Sequence, residues 1–414
     1  MKIAIISSGF LPVVDGVSVT LYNRLQKLSQ YGHQVLLFCP DYRSLSHIYP
    51  NWQAFTGHLF PGVQVVSLES TASIGLDFER DVTVKSYRTV LAELDKFQPE
   101  IIHVDEPERL ATRFLKIPGV DYAKRTGIPC VSFFHTNYIE YLDDYFDLPW
   151  GAIAPLKSCL KFLFARIYNA YDATLVATRV TQRKLLQIGI KNSVCADLLG
   201  VDIEQYQPHL RHKQFFLKKY GLDVEQQVKL ISIGRLTPDK GWLFTLDALT
   251  QSAQHRHNVT LIIAGDGPLR PQIAGTLAHT SLDVHLLGRI SPEEIPALLI
   301  NSDIYITTSE KETTGLTVLE AMAAGIPVIA PRAGGVVHHV RDGKSGLLYT
   351  PQNGKDFTEK LKFLVDNYLA RQSLGAKGRE FVANYSWDKV VTNLLEIWEE
   401  YIKKYSSLRG DDET

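Results

Sequence analysis

Ser309–Pro331 reads SEKETTGLTVLEAMAAGIPVIAP, and the reading of the whole chain turns on it. The residues just before it, Asp303–Ser309 (DIYITTS), are a short run rich in apolar and β-branched side chains, the pattern of a buried strand. VLEAMAAG is a strong helix former that stops at Gly325, and IPVIAP resumes as a strand. Thr314, Gly315 and Leu316 then fall at a helix N-terminus, where free backbone N–H groups and the helix dipole attract an anion such as pyrophosphate. Glu320, one or two turns into that helix, can accept hydrogen bonds from a ribose diol. Glu312, on the loop before it, can hold the hydroxyls of a sugar. Two glutamates alone would be read as solvated carboxylates on a surface turn; the motif around them reverses that and favours a site.

Outward from this stretch the same alternation recurs. The second half offers KLISIGR, VTLIIAGDG, VHLLGRI, DIYITTS and IPVIAP, and the first half KIAIISS, HQVLLFCP, VQVVSL, EIIHVDEP, PCVSFFHT and ATLVATR. Helical patterns lie between them, such as Thr20–Tyr31 with Leu21, Leu25 and Leu28. Apolar strands separated by helices imply parallel sheets covered on both faces. At 414 residues the chain exceeds what one core supports, so two doubly wound α/β domains are expected, with ligands at the carboxyl ends of the strands in a central cleft. The hinge is placed near Leu198–Gly200. The expected divisions are 1–198, 199–380 and 381–414. An amphipathic helical pattern runs from about Ala376 into the last of these, which ends in SSLRGDDET, read as a frayed polar tail.

Composition excludes several classes. Lys+Arg total 44 against Asp+Glu 45, a net charge of −1 that does not suit nucleic acid. There is no run of about 18 apolar residues to span a bilayer. MKIAIISSGF reads as a first strand rather than a signal peptide. Cys39, Cys130, Cys159 and Cys195 have no metal-type spacing. The expectation is a cytoplasmic chain with reduced thiols, or one peripheral on the cytoplasmic face of a membrane.

Three further segments carry chemistry. In GRLTPDKG (Gly234–Gly241), Arg235 and Lys240 follow a strand closely enough to reach its carboxyl end, where two cations would neutralise a diphosphate as it departs; an exposed basic turn is the alternative. In SSGFLPVVDGVSVT (Ser7–Thr20), Gly16 lets backbone come close to a phosphate or sugar before a helix expected near Ser18. The segment is not GxGxxG, which argues against a nicotinamide dinucleotide. In PCVSFFHTNYIEYLDDY, His135 directly follows a strand and is either a candidate for the cleft or a structural histidine. Finally, residues 156–171 (LKSCLKFLFARIYNAY) combine Lys157, Lys161 and Arg166 with apolar residues and no acid. That composition suits a helix lying on an anionic bilayer, or one packed on its own domain.

GRLTPDKG, IIAGDGPLR, LLGRI and EKETTGLTVLEAMAAGIPVIAPRAGG, in that order, resemble the retaining glycosyltransferases of family 4, whose GT-B fold comprises two Rossmann-like domains. The resemblance includes FLPVVDG and the GVD…P linker. FFHTNYIEYLDDY and the Glu-Thr-Thr-Gly start of the carboxylate motif resemble sulfoquinovosyl-diacylglycerol synthases and related glycolipid or phosphatidylinositol glycosyltransferases. It implies an N-terminal acceptor domain, a C-terminal donor domain, and a last helix that returns to the first. Arg235 and Lys240 would contact the donor diphosphate, and Thr314, Gly315 and Leu316 would give it backbone N–H groups. Glu320 would hold the ribose and Glu312 the transferred sugar. Arg289 and Ile290 would flank the base, Gly16 would lie beneath the diphosphate, and His135 would contact the sugar near the reacting carbon. A UDP-sugar donor, a hydroxyl acceptor such as a membrane lipid, and metal-independent transfer with no cofactor are the resulting expectations. Two departures stand out: Gly334-Gly335 are followed by Val336, Val337, His338 and His339 rather than an acidic residue, and DEPERL (Asp105–Leu110) carries three carboxylates. A sugar-nucleotide epimerase of the same fold and a non-catalytic sugar-nucleotide-binding subunit are the competing readings.

Overall fold

The computed structural model describes every residue except 74–75, 137, 141–149, 197, 253–257, 281 and 413–414. Part of FFHTNYIEYLDDY, residues 137 and 141–145, therefore lies outside the described residues. Met1–Ile139, Pro149–Leu199 and Trp387–Thr414 form one compact unit, and Gly200–Ser386 lies in a second.

In chain order the first unit contains β1 (Lys2–Ser7), α1 (Gly16–Gln30), β2 (Gln34–Pro40), β3 (Gly57–Phe60), β4 (Val63–Leu68), β5 (Ser70–Ser73) and β6 (Leu76–Val82). It continues with α2 (Ser86–Phe97), β7 (Ile101–Asp105), α3 (Pro107–Phe114), α4 (Val120–Thr126), β8 (Cys130–Phe133), α5 (Trp150–Tyr168), β9 (Ala173–Val176), α6 (Arg179–Gln187) and β10 (Ser193–Cys195). The sheet order is β10-β9-β8-β7-β1-β2-β4-β3, parallel except at the β3 edge, while β5 and β6 pair separately as an antiparallel hairpin. Sequence patterning did not anticipate β3, the hairpin or β10. All are short, and LDFERDV in β6 carries four charges instead of an apolar run. Strand order reverses between β1 and β7, which opens a crest above their carboxyl ends. The core lies on both sheet faces. Ile6, Phe38, Val104 and Leu110 pack on one, and α1 buries Leu21, Leu25 and Leu28 beside the C-terminal helix Trp387–Asp412 with its Leu394 and Trp398. Each fully buried side chain of this size contributes roughly 1.5–3 kcal/mol.

The second unit contains α7 (Phe215–Tyr220), β11 (Val228–Ile233), α8 (Trp242–Ser252), β12 (Val259–Ala264), α9 (Arg270–Leu277), β13 (Asp283–Gly288), α10 (Ile295–Ile300) and β14 (Ile304–Ile306). After these come α11 (Leu316–Ala323), β15 (Val328–Pro331), α12 (Val336–His339), β16 (Leu347–Tyr349), α13 (Gly354–Asp366) and α14 (Tyr368–Val382). Its sheet, β13-β12-β11-β14-β15-β16, is wholly parallel and reverses order between β11 and β14.

Three boundaries differ from the sequence reading. α1 begins at Gly16, not near Ser18, because the Asp15 carboxylate caps it by accepting from the Ser18 amide at 2.8 Å. The pattern from Ala376 is not one helix. It breaks at 383–386, where the Tyr385 carbonyl accepts from the Val201 amide at 2.7 Å. The expected tail is helical through Asp412, since nothing between Ser406 and Asp412 is a strong helix breaker apart from Gly410.

Candidate active site

The crest of the second unit is assembled by backbone contact. After β11, Gly234–Gly241 form a loop against Gly265–Gly267: the Leu236 amide donates to the Asp266 carbonyl at 2.9 Å, and the Leu269 amide to the Leu236 carbonyl at 2.9 Å. A Cβ at Gly265 would stand 1.8 Å from the Gly234 oxygen, so only glycine lets these loops meet. The Trp242 indole donates to the Arg235 carbonyl at 2.8 Å. Thr308 Oγ1 lies 3.1 Å and 2.9 Å from the carbonyl oxygens of Lys240 and Gly241. The loop that carries Arg235 and Lys240 is thus fixed to the end of β14.

Lys240 Nζ lies 2.5 Å from Glu312 Oε1 and 3.7 Å from Asp239 Oδ2. Burial works against the ammonium, but the charges of Glu312 and Asp239 outweigh it and raise its pKa. Glu312 stands on a loop held by the Gly-Gly pair. The Gly335 amide donates to the Glu312 carbonyl at 2.6 Å, and a Cβ at Gly335 would fall 1.9 Å from the Thr313 oxygen. Gly315, at φ +80°, caps α11, so Thr314, Gly315 and Leu316 stand at that helix's start. The first amides of a helix have no intrahelical partner and face outward as anion donors. Glu320, in the second turn, accepts from the buried Tyr206 hydroxyl at 3.0 Å, and burial pushes its carboxyl up to about 7. Arg289 and Ile290 follow β13, the former exposed and the latter half-buried. Tyr305 was not singled out from the sequence. Its buried phenol donates to Thr317 Oγ1 at 2.7 Å, and burial raises its pKa, with the charges of Glu312 and Glu320 adding to the shift and Lys240 opposing it.

At the crest of the first unit the charged side chains are buried. Gly16 begins α1, and a Cβ there would meet no protein atom within 4 Å. His135 Nε2 lies 2.8 Å from Asp105 Oδ1, so His135 is neither isolated nor merely packed. Asp105 is fully buried. Burial favours its neutral form, yet Arg24, His103 and His135 hold its carboxyl well below the usual carboxylate range. The carboxylates of DEPERL have separate partners. Glu106 has a left-handed backbone (φ +52°) and accepts from the hydroxyls of Ser8, Thr136 (2.6 Å) and Tyr138 (3.2 Å), tying together the ends of β1, β7 and β8. Glu108 accepts from the Tyr168 hydroxyl, and burial together with the Glu106 charge pushes it up to about 8. DEPERL directly after a strand could have flagged Asp105 and Glu106; nothing local in the sequence points to Arg24 or Trp398.

Two parallel-sheet Rossmann-like units, one with a paired lysine and glutamate beside a glycine-capped helix, define the class: the fold is GT-B. Glycosyl transferases group 1 matches residues 213–381 and Glycosyltransferase Family 4 matches residues 14–205. A glycosyltransferase of Methanocaldococcus jannaschii is 34% identical over 293 residues, covering 69% of this chain and 82% of that one. The sulfoquinovosyl transferase SQD2 of Arabidopsis thaliana is 28% identical over 310 residues, 74% of this chain and 57% of its own length. A GDP-mannose-dependent alpha-mannosyltransferase of Corynebacterium glutamicum is 28% identical over 408 residues, 97% and 89% of the two chains. Among solved structures, Anabaena HepE in complex with UDP and glucose shares the fold, with a TM-score of 0.74 at 17% identity over 97% of this chain and 100% of that one. The chain belongs to the family 4 glycosyltransferases.

Proposed function

We propose that the chain is a retaining hexosyltransferase that moves a sugar from a nucleotide-sugar donor, a UDP-sugar, to a hydroxyl of a glycerolipid. The observation that carries this reading is the Lys240–Glu312 pair, 2.5 Å apart beside the glycine-capped start of α11. Both side chains stay about a fifth exposed, at 19% and 22%, so a ligand can take either partner. Lys240 and Arg235 meet the diphosphate while the amides of Thr314, Gly315 and Leu316 complete its cradle. Glu312 turns to the sugar hydroxyls and Glu320 to the ribose; Arg289 and Ile290 flank the base. Gly16 approaches the diphosphate, and His135 meets the sugar near its reacting carbon.

In this reading the bond from the anomeric carbon to the phosphate oxygen breaks, and a bond to the acceptor oxygen forms on the same face. The departing phosphate oxygen takes the acceptor's proton, and the two cations offset the charge that develops. Neither a cofactor nor a divalent cation is assigned a role, because two side-chain cations and a helix start already face the diphosphate; full turnover in EDTA is expected. NMR of the product is to show the donor's anomeric configuration retained, and an inverted product overturns the mechanism. A second reading, GDP-mannose as donor, is favoured by the C. glutamicum relative, whose match spans nearly the whole chain. Thermal shifts with UDP, GDP, ADP and NAD separate the two, since a ligand at about 100 times its Kd adds about 2.7 kcal/mol of stability.

Support for a lipid acceptor comes from α5. It buries Phe164, Ile167 and Tyr168 yet exposes Phe162 (70%), Leu156 (38%) and Leu163 (36%) beside the exposed Lys161 and Arg166. Exposed apolar side chains interspersed with cations suit an anionic bilayer. No helix among the described residues is long and apolar enough to cross a membrane. Co-sedimentation with anionic but not with neutral vesicles is the expected result.

A further inference from the structure

Arg24, His103, Asp105, His135 and Trp398 lie far apart in sequence, yet form one polar chain inside the first unit. Asp105 Oδ1 is 2.8 Å from His135 Nε2, 3.2 Å from His103 Nε2 and 3.5 Å from Arg24 Nη2. On the other edge of the His103 ring, Trp398 Nε1 of the C-terminal helix stands 3.3 Å from Nδ1. Arg24 Nη1 is 2.9 Å from His103 Nε2. Arg24, His103, Asp105 and Trp398 are all buried.

An indole N–H can only donate, and an ionised carboxylate can only accept. Trp398 therefore favours Nδ1 of a neutral His103 as the acceptor and the ring proton on Nε2, aimed at Asp105, against the opposing demand of the Arg24 Nη1–H that stands 2.9 Å from Nε2. Remove the indole N–H, and His103 can instead carry its proton on Nδ1 and accept from Arg24 at Nε2. His103 thus has two arrangements, and Trp398 selects between them. In the first, Asp105 divides Oδ1 between two imidazole N–H groups; in the second it serves His135 without that competitor.

We propose that Asp105 is a positioning residue that holds His135 as its Nε2–H tautomer, and that Trp398 sets the strength of this hold through His103. The proposal rests on the reading of His135 as the residue that meets the transferred sugar. Burial lowers the His103 pKa despite the nearby Asp105, so the ring is neutral and its tautomer is what matters. The groups facing Asp105 are Arg24 from α1, His103 from β7 and His135 from the loop after β8, with Trp398 as the uncharged donor behind His103. A carboxylate behind a histidine fixes its tautomer and ring orientation, as in many metal and catalytic sites.

The test is long-range ¹H–¹⁵N NMR of the histidines in the full chain, with His135→Gln for assignment. In the wild type, His103 and His135 are expected as Nε2–H tautomers. Asp105→Asn, whose amide can donate to Nε2 as well as accept from it, should weaken the hold and shift the His135 ring ¹⁵N signals toward the Nδ1–H tautomer. Trp398→Phe keeps the aromatic bulk and should move His103 to the Nδ1–H tautomer and alter kcat with donor KM unchanged. An Nδ1–H tautomer for His135 in the wild type, or no His103 change in folded Trp398→Phe, overturns the proposal. The tautomers are read without turnover. If they behave as expected while kcat ignores both variants, the fault lies with the role given to His135, not with the network.

Discussion

At the strand-order reversal of the second unit, Lys240 and Glu312 face each other with about a fifth of each side chain exposed, at 19% and 22%. At the equivalent reversal of the first unit, Arg24 and Asp105 are 2% and 0% exposed, and every carboxylate of DEPERL already has a protein donor. The sheets share one plan, but their crests differ in how deeply their charged groups are buried. A part-exposed ion pair can exchange partners for a diphosphate and a sugar. A sealed network cannot, and its value lies in holding what stands at its edge. On this account the charged binding groups belong to the second unit, and the buried network of the first positions His135.

The sharpest way to break that contrast is to remove the cations. Lys240→Ala and Arg235→Ala are each expected to cut kcat by about 10²–10³-fold, the scale of losing one preorganised electrostatic contact. The melting temperature should stay within a few degrees, as both side chains are part-exposed. Near-normal kcat in both variants would contradict the account.

Glycine substitutions separate structural from functional close approach. Gly335→Ala would force a Cβ to 1.9 Å from the Thr313 oxygen and should cost about 1–3 kcal/mol by denaturant unfolding. Gly16→Ala meets open space, so stability should hold while nucleotide-sugar affinity falls. The reverse pattern would show that Gly16 serves the fold.

A third test uses Glu108. Its carboxyl is raised from 4.5 to about 8, so between those values the folded chain binds the proton more tightly than the unfolded chain. Stability must then fall as pH rises from about 4.5 to 8, by at most about 1.4 kcal/mol per unit for one proton. Glu108→Gln keeps an acceptor for Tyr168 and should flatten that slope, with its gain over wild type largest above pH 8. The smallest effect expected is at α5: Phe162→Ser should weaken anionic-vesicle binding several-fold without altering turnover on a soluble acceptor.

The crests also differ in how far their sequences disclosed them. SEKETTGLTVLEAMAAG and GRLTPDKG are contiguous, because a strand, a tight turn and a helix start must follow one another along the chain to form an anion cradle. Gly315, Lys240 and Glu312 were therefore legible as site candidates. Gly334-Gly335 stood out as a pair, but the reason for them, backbone contact with residues 310–313, needed coordinates. In the first unit, His135 and the acidic loop were visible, but their meaning lay in partners up to 295 residues away, as with His103 and Trp398. Such a network leaves no local period or spacing. β3, the β5–β6 hairpin and β10 escaped for a different reason: edge and hairpin strands need no apolar run.

The central claim is that Lys240 and the start of α11 hold a nucleoside diphosphate, and calorimetric titration of UDP and GDP into wild type and Lys240→Ala tests it most directly. The account predicts saturable binding of UDP to the wild type, weakened at least about tenfold in the variant, a loss of about 1.4 kcal/mol. Equal affinity in the two proteins, or no binding of either nucleotide to the wild type, would contradict it.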